Sequence, residues 1–272
     1  MAADSAKILK ITKIEAQKHP GRYNVYVNDR YAFPVGEDVM VRYRLLKGTE
    51  LTPALIATLK TADAQSKAWS MALNYLSYQQ RTEKELRDYL VNKEVTPEII
   101  APVMTRLLDQ RLLDDAQYAH SYVRTMKRTS DKGPTVIKRQ LKQKAVAENL
   151  IEDALNDDYS VSEQLDRLSE LVEKQKKHYQ RLMPSIQRQK VQQRLIEKGF
   201  SFDLVSTAMA ETDFELPQSQ AEDLLSKQAE KAWRKYRAKD PYERSLKVRQ
   251  ALYRKALLVT PLIGGSISTE FN

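Results

Sequence analysis

Three groups of cations are the residues of this 272-residue chain whose type and spacing could do chemistry, and that chemistry is anion recognition. They are Lys138, Arg139 and Lys142; Lys190, Arg194 and Lys198; and Lys247, Arg249, Arg254 and Lys255. Within each group, residues three to four apart share a helix face. Leu141, Leu195 and Leu252 sit on the opposite stripe as core anchors. The cations should therefore point outward, where they could neutralise phosphates or meet acidic protein loops. Trp233 and Arg237, one helical turn apart among Arg234 and Lys235, add a basic and aromatic surface. An indole there can stack on a base or anchor an interface. A single lysine is by default a solvated one, so the reading rests on the row of clusters.

Other chemistries find little support. Asp114 and Asp115 resemble a catalytic pair but suit a helix N-cap, where the macrodipole favours negative charge. His19, His120 and His178 fall in unrelated segments, and the chain has no cysteine, so no metal or disulfide framework is expected. Phosphate-loop, GxSxG, HExxH and CxxC motifs are all absent from the sequence. We expect no enzyme activity, no cofactor and no small-molecule substrate. No run of about 18 apolar residues occurs, and no signal peptide opens the chain, so a soluble, cytoplasmic protein without membrane contact is expected. The formal charge of +9 is uneven. Residues 68–115 carry 6 Lys/Arg against 8 Asp/Glu, whereas residues 213–272 carry 11 against 8. A basic excess in the later segments favours polyanions or an acidic protein surface.

The elements that must position these cations repeat. Leu90, Leu141, Leu195 and Leu252 are 51, 54 and 57 residues apart. Each is followed by a lysine three residues on (Lys93, Lys144, Lys198, Lys255) and by an apolar residue two beyond that (Val95, Val146, Phe200, Leu257). Such a period implies stacked copies of one supersecondary unit, which build long surfaces rather than deep pockets. In the first copy, Thr82 and Glu85 form a capping box opening a helix over 83–92, preceded by one over 68–79 and followed by one over 97–109. A separate helix starts at Thr52-Pro53. Later helices are expected over 135–143, 147–156, 162–181, from 184, over 201–211, over 218–239 and from 241, with a weak last one near 259–268. The first 50 residues differ: Tyr23, Val25 and Val27 alternate as a strand, Asn28-Asp29 turn the chain, and residues 31–35 return. A helix over 36–46 follows. The expected fold is mainly α, with tandem three-helix repeats in an elongated array behind a small N-terminal β-hairpin or β-sheet-plus-helix unit. The expected domains are 1–60, 68–115, 116–158, 159–212 and a degenerate fourth repeat over 213–272.

Residues 68–158 also carry a specific pattern: Leu73-Asn74-Tyr75-Leu76, Arg81-Thr82-Glu83-Lys84-Glu85-Leu86, Leu113-Asp114-Asp115, Tyr118-Ala119, Tyr122-Val123-Arg124, and Lys132-Gly133-Pro134 before Ile137 and Leu141. This resembles the RecX family of modulators of the recombinase RecA, over about residues 68–256, with an N-terminal unit similar to that of longer Gram-positive members. The resemblance implies a non-enzymatic regulator that lies in the groove of the RecA–DNA filament. It would restrain filament extension, ATP turnover, and with them DNA repair and the SOS response. The alternative is a general DNA-binding protein, on single or double strands, that acts by competing for nucleic acid. Two departures stand out. Arg111 replaces a usual glycine, and of the Lys-Gly-apolar signals only Lys198-Gly199-Phe200 remains. An alanine at a left-handed helix exit costs roughly 1 kcal/mol, so Ala145 and Ala256 should mark tighter or differently capped corners.

Overall fold

The computed structural model describes residues 9–215, 218–237 and 239–254. The chain forms two compact units, Met1–Ser121 with Leu141–Ile151, and Tyr122–Gln140 with Glu152–Asn272.

The first unit opens with an antiparallel sheet of β1 (Leu9–Ala16), β2 (Arg22–Val27), β3 (Arg30–Gly36) and β4 (Glu50–Leu51), in the order β3-β2-β1-β4. Asn28 and Asp29 both take positive φ (48° and 65°), which makes the tight hairpin turn their residue types favour. The two-residue β4 pairs Leu51 with Leu9; it is too short to show an alternating pattern in sequence. Ile11, Val25, Phe33 and Val35 form the sheet's buried face. Helix α1 (Glu37–Arg42) covers it with Val39, and α2 (Pro53–Tyr78) with Leu59. The expected helix to residue 46 stops early. Arg44 turns left-handed (φ 51°), and the Leu45 N–H reaches back to the Met40 carbonyl at 3.0 Å. Leu45 is thereby buried and Leu46 exposed.

The two helices expected between residues 52 and 80 are one 26-residue helix, α2. Nothing between Ala54 and Tyr78 is glycine or proline. Midway along it, the buried Asp63 faces the sheet. It accepts two bonds from Arg22 at 3.0 Å, one from the Gly36 N–H at 2.8 Å, and pairs with Lys67 at 3.1 Å. Burial opposes its ionisation, but these donors hold its carboxyl below the usual value. Helices α3 (Glu83–Asn92) and α4 (Pro97–Asp109) complete a three-helix bundle with α2 around Ala72, Leu86, Leu90, Ile100 and Leu107.

Next come α5 (Asp115–Thr129), α6 (Pro134–Gln143) and α7 (Glu148–Asp158). Then α8 (Val161–His178), α9 (Pro184–Glu197) and α10 (Phe202–Ala210) bury Leu168, Leu171, Val191, Leu195, Val205 and Met209. Helices α11 (Gln218–Lys235) and α12 (Pro241–Arg254) pair through Val248, Leu252, Leu225 and Ala229. The weak last helix expected near 259–268 lies outside the described residues.

The repeated Leu, Lys and apolar spacing has a local cause. The Val95 N–H bonds to the Leu90 carbonyl at 3.1 Å, Val146 to Leu141 at 3.2 Å, and Phe200 to Leu195 at 3.3 Å. The residues between, Glu94, Ala145 and Gly199, have φ of 61°, 60° and 95°. Each is a left-handed helix exit that satisfies otherwise orphaned carbonyls, with the lysine at the last half-helical position. Arg111 (φ 52°) ends α4 the same way. Ala145 thus adopts the left-handed cap without glycine; its corner differs from that of Gly199 in that the Lys144 N–H reaches the Leu141 carbonyl, three residues back, where Lys198 reaches Arg194, four back. Lys255, Ala256 and Leu257 lie outside the described residues.

Candidate anion-binding interface

Two junctions place the ends of these helices. In the first unit, the buried Thr82 hydroxyl accepts from the Glu85 N–H at 3.2 Å and donates to the Lys144 carbonyl at 3.1 Å. Lys144 also pairs with Glu85, so the exit of α6 meets the start of α3 through side chain and backbone together. Asp114 caps α5, accepting from the Gln117 N–H at 2.9 Å. Asp115 accepts from the Glu83 N–H at 2.9 Å, and burial pushes its carboxyl up. The acidic pair therefore serves two different helix starts. In the second unit, the Gly133 N–H donates to the Lys198 carbonyl at 2.7 Å, and the Thr135 N–H to Gly199 at 3.1 Å. Here the exit of α9 caps the first turn of α6.

The second junction fixes one end of a basic cleft of about 690 Å³ between α8 and α9. Its lining includes Lys174, Lys177 and His178 from α8 and Lys190, Arg194 and Lys198 from α9, with Glu197 as the one carboxylate among the lining residues. The amphipathic pattern of α8 turns Leu168, Leu171 and Val172 inward and leaves its basic last turn outward, where the helix dipole favours cations. A short connection reverses the chain. The buried Gln187 then donates from Nε2 to the Lys176 carbonyl at 2.8 Å, holding the two helices in register. Arg194 pairs with Glu197 at 3.3 Å, while Lys177 and Lys190 make no ion pair among the described residues. Lys198 is largely covered, with 19% of its side chain exposed, and pairs with Asp131 at 3.1 Å.

The other anticipated cations are more dispersed. Lys138 pairs with Glu152 and Lys142 with Glu148, both at 2.8 Å, whereas Arg139 is exposed. Trp233 is 42% exposed, but the Arg244 guanidinium stacks 4.0 Å from its ring centre and donates twice to its carbonyl, at 3.0 and 2.8 Å. One indole face thus serves the α11–α12 corner. Arg237, Lys247 and Arg249 are exposed; the side chain of Arg254 lies outside the described residues.

The cleft therefore brings Lys190, Arg194 and Lys198 together and adds Lys174, Lys177 and His178, which the sequence reading did not select. The signal was present in the basic end of α8. It needed the antiparallel return into α9 to acquire meaning. No helix among the described residues is long and apolar enough to cross a membrane.

Comparisons with known proteins place this geometry in context. Residues 9–52 match the model of the regulatory protein RecX N-terminal domain, and 68–107, 114–155 and 162–209 match the first, second and third RecX three-helix domains. Regulatory protein RecX of Levilactobacillus brevis is 48% identical over 90% of this chain and 92% of its own length. That of Bacillus subtilis is 40% identical over 90% and 93%. A crystal structure of regulatory protein RecX superposes with a TM-score of 0.67 at 44% identity, covering 75% of this chain and all of the other. A second, of RecX from Lactobacillus salivarius, gives 0.53 at 42% identity over 55% and 97%.

Proposed function

The chain belongs to the RecX family, and from that premise we propose that it is a non-catalytic cytoplasmic regulator that binds the RecA–DNA filament through basic surfaces of its repeats and inhibits filament extension and ATP turnover. The observation that carries this reading is the convergence of Lys174, Lys177, Lys190, Arg194 and Lys198 on one open cleft with a single lining carboxylate. Such a site attracts a dense anion rather than turning over a substrate. Exposed Arg139 on α6, Arg237 two residues past the end of α11, and Lys247 and Arg249 on α12 supply further contacts. Each contact is modest, and linking several on one chain raises the effective concentration of the rest, so that together they hold a repeating partner. The relatives are named regulatory proteins, which accords with a role exerted by binding.

The test is DNA-dependent RecA ATPase. Inhibition should appear well below one copy per recombinase, and Lys190→Glu with Arg194→Glu should weaken it. No inhibition at equimolar ratio refutes the proposal. Lys177 and Lys190, which make no ion pair among the described residues, favour one second reading, direct DNA binding with inhibition by competition. Phosphate-dominated binding weakens with log salt by ~0.9 per neutralised duplex phosphate. A flat salt dependence with filament binding retained would exclude that second reading.

A further inference from the structure

Asp131 lies in the link between α5 and α6, three residues before Pro134. Its carboxylate is a meeting point for three cations of the second unit. Arg167 Nη2 reaches Oδ1 at 2.8 Å, while Lys174 and Lys198 both reach Oδ2, at 2.9 and 3.1 Å. These two lysines also line the α8–α9 cleft. One oxygen held between two ammonium groups has the donor arrangement that a non-bridging phosphate oxygen would take. The carboxylate is thus bound where an external anion would be.

We propose that Asp131 is an internal competitor that occupies the two-lysine end of the cleft, so that a phosphate-bearing polyanion binds by displacing it from Lys174 and Lys198. The inference rests on the reading of the cleft as an anion site and concerns how that site is regulated. Three observations support it. Asp131 is always available as the competing anion: the Lys174 hydrogen bond, opposed by burial and aided by Lys198, holds its carboxyl down at about 2. It also has somewhere to go, because Arg167 still grips Oδ1 when Oδ2 is released. Finally, displacement has a consequence. Lys198 is the residue whose carbonyl receives the Gly133 N–H, two positions after Asp131. Anion binding in the cleft is therefore coupled to the seating of α9 on α6, and such coupling is reciprocal. Phosphate is favoured over an acidic protein surface because five cations share one cleft, two of them on a single carboxylate oxygen. A phosphodiester strand or a free polyphosphate places charges every few ångströms, as that density requires.

The full-length chain is titrated with fluorescein-labelled oligo-dT in three forms: wild type, Asp131→Asn, and Lys190→Ala with Arg194→Ala. The expected result is 5- to 10-fold tighter binding by Asp131→Asn, with a steeper salt dependence, and weaker binding by the double variant. Equal or weaker binding by Asp131→Asn, with the double variant weakened, overturns the competitor and leaves the cleft reading standing. No response in the double variant removes the cleft reading and the proposal with it. Displacement of oligo-dT by tripolyphosphate supports phosphate chemistry from a free polyphosphate, whereas displacement by unlabelled oligo-dT alone supports it from a strand. Equal displacement by polyglutamate of matched charge overturns the phosphate assignment. A measurement on the unaltered protein stands apart from any folding defect. Saturation with oligo-dT should raise the Asp131 carboxyl titration, followed by 13C NMR, above that of the protein without oligo-dT. An unmoved titration overturns the proposal.

Discussion

Replacing Gly133 with alanine tests whether the α9–α6 junction is as close as the structure makes it. A Cβ built on Gly133 falls 2.5 Å from both the carbonyl carbon and oxygen of Gly199, and 2.6 Å from the Phe200 nitrogen. Non-bonded heavy atoms settle at about 3.5–4.0 Å, so the junction must open by about 1 Å. That movement carries two short backbone bonds, Gly133 to Lys198 at 2.7 Å and Thr135 to Gly199 at 3.1 Å, past bonding distance. Losing them costs about 1 kcal/mol each, and the residual overpacking about 1–3 kcal/mol. The sum, about 3–5 kcal/mol, falls on the second unit. At about 4 °C per kcal/mol, where the ranges for 60–100 and for 150–250 residues meet, its melting transition should drop by about 12–20 °C. Circular dichroism melts, with urea titration alongside, measure this directly. Gly199→Ala should behave alike, since its Cβ would lie 2.6 Å from the Val136 nitrogen in a left-handed backbone (φ 95°). A Gly133→Ala variant within 0.5 kcal/mol of the parent would refute the close approach.

The remaining predictions concern the other helix exits and the buried carboxylates. Ala145→Gly and Arg111→Gly relieve left-handed backbone at φ 60° and 52°, and each should stabilise by about 0.5–1 kcal/mol in urea titrations. Asp63→Ala leaves Arg22 and the Gly36 N–H without their partner inside the first unit and should cost about 3–5 kcal/mol, read as loss of protection in the β2–β3 amides by hydrogen exchange. Asp131 has a folded-state pKa lowered from 3.8 to about 2. Its stabilisation is therefore present above the unfolded value and lost as pH falls through the folded one. The stability gap between wild type and Asp131→Asn should close between about pH 4 and pH 2, measured by denaturant titration at each pH.

How much of this was legible in the sequence depends on how far apart the determining residues lie. The capping box at Thr82 and Glu85, the turn at Asn28-Asp29 and the starts at Pro53, Pro97, Pro134, Pro184 and Pro241 are local, and each element begins where its signal stands. The recurrence of leucine, lysine and an apolar residue was equally legible as a repeat. Its meaning as a left-handed helix exit was legible at Gly199 and, by analogy, at Ala145, but not at Glu94, whose residue type gives no sign of the same conformation. Helix length is not legible where no residue type decides it. Nothing local tells a long α2 from two shorter helices; the partner of Asp63, midway along it, is Arg22, 41 residues earlier.

The site divides in the same way. That α6, α9 and α12 carry clusters of cations opposite buried leucines follows from the order of residues alone, since helical periodicity is a property of neighbours. Only the tertiary structure decided which of those cations act together. The second wall of the cleft comes from α8, and the carboxylate that pairs with two of its lysines is 43 residues from Lys174 and 67 from Lys198. Spacing in the chain carries charge and periodicity, whereas convergence of charges depends on how helices return on one another, which no short stretch of residues encodes.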